Sequence, residues 1–164
     1  MIFLLQKKMA PIDLIILNLE EIRRRSLKLW SGITPDMYFW KPDKEAIPFL
    51  EMVRHILETE HSYQQIIKKR GSVPDYTSPW NDRPYTNLED ELAFSAPYRK
   101  EFMAFVQSFT AEDLETIEII RPERNQRRRL GDFLLRVAYH ESVHTGQFLS
   151  YFRTYGVDRP MIWD

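Results

Sequence analysis

The sequence contains no cysteine among its 164 residues. A chain without thiols cannot form disulfides, hold a metal through thiolates, or use a cysteine as a nucleophile. Long apolar runs are also absent, and the N-terminal stretch MIFLLQKKM is too short for a signal peptide or a membrane span. We therefore expect a cytoplasmic protein with no membrane partner, for which Met9 is an alternative start.

The sequence also lacks an excess of either basic or acidic residues. The chain carries 23 basic and 24 acidic residues, so bulk charge provides no general attraction to nucleic acid. Its 43% hydrophobic and 29% charged residues are typical of a soluble globular protein, and its length fits a single domain spanning residues 1–164. The arginine-rich stretch RPERNQRRRL is interpreted as a solvated hairpin rather than an RNA-binding patch.

Glycine is scarce, with only five residues, and the glycines and the ten prolines fall mostly between segments of helical periodicity. Asn87 and Asp132 are of residue types that are preferred as N-terminal helix caps, whereas Gly71 and Gly156 end helical patterns. Pro97 lies inside the third pattern and predicts a kink or a late start. The predicted helices cover about residues 12–30, 49–70, 87–109 and 132–155.

The remaining segments predict how these helices are connected. ETIEIIRPERNQRRRL alternates like a strand on both sides of a turn at residues 122–125, which allows a short hairpin before the last helix. The triple arginine Arg23 to Arg25 is interpreted as a solvated helix face. Together these patterns predict an all-α fold: a four-helix bundle with long crossover loops and a short β-hairpin.

Two histidines are the main chemical feature of the last predicted helix. His140 and His144 are one turn apart and fall within the apolar stripe of that helix, so both rings point towards the core. A buried polar ring without a partner costs about 1 to 3 kcal/mol. Residues four apart can also close on one ion, and the pair therefore favours half of a metal site.

A third ligand is needed, and two other histidines are available. His61 shares its side of the second helix with polar residues and is expected to face water. His55 lies at the edge of the apolar stripe, from which it can reach a neighbouring helix. We therefore select His55, His140 and His144 as metal ligands. Three neutral imidazoles leave one position open for water or substrate, as in catalytic zinc sites.

The stretch HESVH also satisfies the HExxH pattern of zinc metallopeptidases, in which the glutamate activates water. Only twenty residues follow His144, and they contain neither histidine nor glutamate to serve as a downstream ligand. The metallopeptidase is therefore the weaker interpretation. Glu60, in the apolar stripe of the second helix, is expected to support a ligand or to form a salt bridge, and Glu141 is expected to orient a ligand or to hold a proton.

The same residues resemble the DinB-like family. Its last-helix motif usually reads HxxxHRGQ, and this chain has His140-x-x-x-His144 followed by Thr145, Gly146 and Gln147; FWKP after the first helix and His55 in the second also match. The resemblance covers Met9 to Gly156. It implies a four-helix bundle that holds zinc or nickel through His55, His140 and His144, in a pocket open at one end. Homodimers are common in the family.

The activity that the resemblance implies is less specific than its fold. Some relatives resemble thiol-dependent transferases, and others metal-dependent hydrolases. We expect a metal-dependent enzyme acting on a small molecule, with a low-molecular-weight thiol as one candidate; the alternative is a non-catalytic, stress-related scaffold. Thr145 replaces the usual arginine, which questions a role for that position in holding an anionic substrate. Gly146 is interpreted as a place where a partner subunit or a packed helix can approach the last helix; the alternative is a glycine that the helix merely tolerates.

Overall fold

The computed structural model describes residues 9–163. The N-terminal MIFLLQKK, which is expected to be neither a signal peptide nor a membrane span, lies outside the described residues. Within the described part, every helix is too short or too polar to span a lipid bilayer.

Residues 9–163 form five α-helices and one antiparallel hairpin, so the predicted fold class is confirmed. The helices are α1 (Pro11–Trp30), α2 (Phe49–Lys69), α3 (Leu88–Gln107), α4 (Ala111–Thr116) and α5 (Leu130–Tyr155), and the hairpin strands are β1 (Glu118–Arg121) and β2 (Gln126–Arg129). The short α4 was not predicted, because six residues are too few to show helical periodicity. Thr110 begins α4 by accepting a hydrogen bond from the backbone N–H of Asp113.

The starts of α5 and α3 test the helix caps that the sequence predicts. Asp132 is not the cap of α5, since the helix begins two residues earlier at Leu130, immediately after β2. The backbone N–H of Leu130 donates to the carbonyl of Ile117, so the hairpin leads directly into the helix. Pro97 does not delay α3, which is capped by Asn87 as predicted and includes Pro97 in its interior. Pro97 is exposed, and water can therefore bond the carbonyl that the proline leaves unpaired.

The end of α2 shows why Gly71 is a glycine. The residue with a left-handed backbone is Arg70, at φ 52°, and not Gly71. Gly71 instead forms a bridge with Ile120 of β1, and an added Cβ would lie 2.9 Å from the carbonyl oxygen of Ile120. The glycine therefore permits a close approach of the hairpin to the end of α2 rather than a left-handed turn.

Two apolar clusters lie at opposite ends of the bundle. One joins the C-terminal ends of α1 and α5 to the N-terminal ends of α2 and α3, around the buried rings of Trp30, Phe49 and Phe148. The other joins the opposite ends of these helices around Phe102 and Phe133. Helices α1 and α5 therefore run parallel to each other and opposite to α2 and α3. The long connection after α2 returns the chain to the end of the bundle that contains Trp30, and α3 begins there.

We predict opposite effects for two neighbouring substitutions at the end of α2. Arg70→Gly should raise the free energy of unfolding by up to about 1 kcal/mol, because glycine adopts the left-handed conformation without a Cβ clash. Gly71→Ala should lower it by about 1 to 3 kcal/mol, because the new methyl group overlaps the Ile120 carbonyl. Urea denaturation of both variants measures this. A Gly71→Ala variant as stable as the native protein would contradict the close approach of the Ile120 carbonyl to Gly71.

Candidate metal centre

The three histidines selected from the sequence come together in the structure. His55 extends from α2, and His140 and His144 extend from α5 one turn apart. The Nε2 atom of His140 lies 3.1 Å from Nε2 of His55 and 3.1 Å from Nε2 of His144. One nitrogen from each ring lies within 4.8 Å of the other two, so the cluster can hold a metal ion. All three side chains are half-buried.

Hydrogen bonding alone is a poor explanation for this arrangement. A neutral imidazole has one N–H and one lone pair, so Nε2 of His140 offers a single hydrogen or a single lone pair to two neighbouring nitrogens. A cation at the centre would accept a lone pair from each ring. Ligand nitrogens on a tetrahedral zinc ion, with bonds of about 2.0 to 2.1 Å, lie about 3.3 Å apart, close to the observed contacts.

The surroundings keep the rings neutral and orient one of them. Burial, together with the charges that His144 and His55 would carry, lowers the pKa of His140 to about 4. Burial also lowers the pKa of His55 and of His144, so all three lone pairs are available at neutral pH. Nδ1 of His144 lies 2.6 Å from Oε1 of Gln147 and donates to it, which leaves Nε2 of His144 as the ligand atom.

The fourth histidine, His61, belongs to a different environment. It was expected to face water, but it is half-buried among aromatic rings, with Tyr98 at a centroid distance of 5.1 Å. Its Nδ1 lies 2.8 Å from the hydroxyl of Tyr76. The expectation was wrong because the connection between α2 and α3 covers this side of α2. His61 does not join the group formed by His55, His140 and His144 among the described residues.

A layer of buried charges separates the two apolar clusters. Arg23 of α1 donates from Nε and Nη2 to the two carboxylate oxygens of Glu141, at 2.9 and 3.0 Å. Its Nη2 also lies 3.4 Å from Glu60 of α2, which pairs with Arg99 of α3. Two arginines and two glutamates thus balance their charges and join all four long helices. Arg99 also donates to the carbonyl of Leu19 in α1.

This layer corrects two interpretations of the sequence. Arg23 is not on a solvated face, since only 8% of it is exposed. Glu141 is not placed to activate water, because both of its carboxylate oxygens are bonded to Arg23. Burial would raise the pKa of Glu141, but the charge of Arg23 holds that pKa below its usual value. The geometry therefore contradicts the metallopeptidase alternative, in which this glutamate must serve the metal site.

Two residues at this site went unrecognised in the sequence, although signals for both were present. Arg23 lies one helical turn after the buried Leu19, and therefore on the core side of α1. Gln147 lies three residues after His144 on the same helix, a spacing at which side chains meet. The first signal was outweighed by the usual exposure of arginine, and the second was noticed only as part of the family motif.

We predict that the buried layer makes Arg23 far more important for stability than the neighbouring arginine. Arg23→Met should lower the free energy of unfolding by about 3 to 5 kcal/mol, because two buried carboxylates lose their shared partner. Arg24→Met is the matched control: Arg24 forms a surface ion pair with Glu21, which contributes about 0 to 1 kcal/mol. Denaturation by urea measures both changes.

A double variant tests whether the loss comes from unpaired charge. Arg23→Met combined with Glu141→Leu should recover part of the stability lost in Arg23→Met, because an apolar pair replaces a lone buried carboxylate. Equal stability of Arg23→Met and Arg24→Met would show that the charged layer does not constrain the bundle.

Comparisons with known proteins agree with this architecture. A crystal structure of the DinB-like protein YjoA from Bacillus subtilis superposes with a TM-score of 0.70, covering 91% of this chain and 96% of that one at 23% sequence identity. In sequence, the protein YjoA of Bacillus subtilis (strain 168), described as uncharacterized, is 28% identical over 130 residues, which are 79% of this chain and 80% of that protein.

The family comparison extends over most of the chain. The model of the DinB superfamily matches residues 18–148, a range that includes all three clustered histidines and both carboxylates of the buried layer. The helical architecture, the hairpin before the last helix and this match agree with the resemblance drawn from the histidine motif. The chain therefore belongs to the DinB superfamily.

Proposed function

We propose that the protein is a divalent-metal-dependent enzyme that acts on a small molecule, with His55, His140 and His144 as the ligands of the ion. The observation that carries this proposal is the convergence of three Nε2 atoms from two helices, with two contacts of 3.1 Å. Three protein ligands leave one position free, which distinguishes a catalytic site from a closed structural one. Zinc and nickel suit an all-imidazole set and are the preferred ions.

The protein side chains would supply the geometry of the site. A divalent ion with an open position lowers the pKa of a water or thiol ligand and so provides a nucleophile at neutral pH. Gln147 fixes the ring of His144 by accepting from its Nδ1. The ring of Tyr63 packs edge-on against His140 at a centroid distance of 5.9 Å and limits its rotation. Since Glu141 is bonded to Arg23, it is not available as a base.

Thiol transfer and hydrolysis are the two reaction types that this site would serve. The chain has no cysteine, so any thiol in the reaction must come from a substrate or a low-molecular-weight cofactor. The second candidate function is a non-catalytic scaffold. It is favoured by the two apolar clusters and the charged layer, which hold the long helices together without any contribution from an ion.

We predict that untagged protein binds about one divalent ion per chain and loses it when any of the three histidines is replaced by alanine. Elemental analysis and the visible spectrum of the cobalt-loaded protein measure this. His61→Ala is the matched control, because His61 lies on the same helix as His55 but bonds to Tyr76. It should retain the ion.

The outcomes separate the two candidate functions. Retention of metal in His140→Ala and His144→Ala, or full stability and no metal in the native protein, would favour the scaffold and contradict the enzyme. For metal-loaded protein, a screen of thiols with electrophilic acceptors tests transfer, and a panel of esters and amides tests hydrolysis. Turnover in either screen should disappear in His140→Ala and persist in His61→Ala.

We further propose that the protein forms a homodimer through the outer face of α1 and α5. Four large apolar side chains on these two helices are each about half exposed or more: Leu14, Leu17, Leu135 and Tyr139. Apolar side chains clustered on one face mark interaction surfaces. A Cβ added at Gly146, on the same side of α5, would meet nothing within 4 Å, so the backbone is open to a second helix.

Sedimentation velocity tests this surface. The native protein should sediment as a dimer, and the double variant Leu135→Glu with Tyr139→Glu should sediment as a monomer, because two buried charges would face each other across the symmetric contact. Val157→Glu, at an exposed apolar residue beyond the end of α5, is the control and should remain dimeric. A native monomer would contradict the proposal.

A further inference from the structure

A pocket lies beside the histidine cluster, between the segment before α2 and the C-terminal half of α5. Its volume is about 450 Å³, within the range of small-molecule sites. The apolar part of its wall includes Ala46, Ile47 and Met52, and the ring of Tyr151 forms the opposite side. Such a pocket has room for a short aliphatic or aromatic body.

Both helices that carry the histidines also contribute to the pocket. Met52 precedes His55 by three residues on α2, and Gln147 follows His144 by three residues on α5. Because α2 and α5 are antiparallel, these two positions lie on the same side of the cluster. These lining residues are therefore three positions, or about 4.5 Å, from the histidines along both helices.

Gln147 connects the pocket to the cluster. Its Oε1 accepts a hydrogen bond from Nδ1 of His144 at 2.6 Å, so its amide nitrogen, Nε2, points away from His144. Within residues 9–163, no hydrogen bond or ion pair joins another group to this Nε2, and the side chain lines the pocket. One amide thus holds a ring of the candidate metal site with its oxygen and presents a donor near the pocket with its nitrogen.

The charged part of the pocket wall is acidic. Asp43 and Glu45 line the pocket, and its wall contains no lysine, arginine or histidine. Oδ1 of Asp43 accepts from the backbone N–H groups of Glu45 and Ala46, which fixes the carboxylate while leaving Oδ2 available. Among the described residues, the basic group that pairs with Glu45 is that of Lys44, at 3.8 Å, and both side chains are more than 80% exposed. Such an exposed pair contributes little.

We propose that this pocket is the substrate subsite of the metal centre and that it selects a small primary amine or similar organic cation with an apolar body. Asp43 and Glu45 would face the cationic group, the apolar wall and Tyr151 would cover the body, and Gln147 would position His144 beside it. This inference rests on the proposed function, because it assigns the substrate class of the same centre. A carboxylate or phosphate of similar size would be rejected by the acidic wall.

Three probes of equal length test the charge selection: n-butylamine, n-butyramide and n-butyrate. The readout is the indole N–H resonance of Trp40 in the full-length zinc-loaded protein, because Trp40 packs edge-on against Tyr151 at a centroid distance of 6.0 Å. We expect saturable shifts with butylamine and binding at least about tenfold weaker with butyrate, a difference of about 1.4 kcal/mol. Repeating the titration with metal-free protein excludes direct coordination of the amine.

Variants of the acidic wall provide the matched comparison. The double variant Asp43→Asn with Glu45→Gln should bind butylamine about as weakly as butyramide, because only the charge is lost. Asparagine keeps the acceptor for the turn, so the segment should stay folded. The control Glu20→Gln with Glu112→Gln removes two exposed carboxylates outside the pocket wall and should leave the preference unchanged.

The role of Gln147 has a separate readout in the affinity for cobalt. Gln147→Leu should weaken cobalt binding by about 10- to 100-fold, whereas Gln147→Glu keeps an oxygen for Nδ1 of His144 and should retain it. Equal cobalt affinity of Gln147→Leu and the native protein would overturn this role.

Two results would overturn the amine subsite. One is equal or tighter binding of butyrate, and the other is a butylamine shift that requires the metal or is absent altogether. Either can occur in protein that still binds about one ion per chain through the three histidines. Failure of the subsite is therefore distinguishable from failure of the metal centre.

Discussion

The pairing of Arg23 with Glu60 and Glu141 constrains how the helices of this bundle face one another. A buried carboxylate without a partner costs several kcal/mol, so α1, α2 and α5 must each turn these residues towards the centre. Glu141 follows His140 by one residue, or about 100° around the helix. Directing Glu141 at α1 therefore directs His140 away from α1, towards α2, where His55 is located.

The same rotation explains why the HExxH pattern has a different meaning here from its meaning in metallopeptidases. His140 and His144 lie about 40° apart on α5 and meet a ring of the neighbouring helix, whereas Glu141 faces the interior on another side. The histidines thus form a candidate metal site, and the glutamate belongs to the packing of the core. A five-residue pattern specifies which residues share a helix, but only the partners on other helices decide which of them act together.

Much of the fold and the histidine cluster could be predicted from local signals. Periodicity located the four long helices, Asn87 marked the start of α3, and one-turn spacing on an apolar stripe placed His140 beside His144. The burial of Arg23 was missed because arginine is usually exposed, and its pairing with Glu141, 118 residues away, is shown by no local pattern. The left-handed Arg70 was missed because glycine is the usual residue there, whereas Gly71 is required by a contact with β1.

The position of Thr145 around the axis of α5 gives a physical interpretation of this departure from the family motif. Thr145 is buried on the α1 side of α5, where its hydroxyl donates to the carbonyl of Glu141 and lies 3.3 Å from Ser26. A side chain at this position starts about 100° away from His144 and does not line the pocket beside the cluster. Thr145 therefore belongs to the contact between α5 and α1 and not to the pocket wall. Gln147, which the motif retains, contacts both His144 and the pocket, so within this motif it is the glutamine that can link the two.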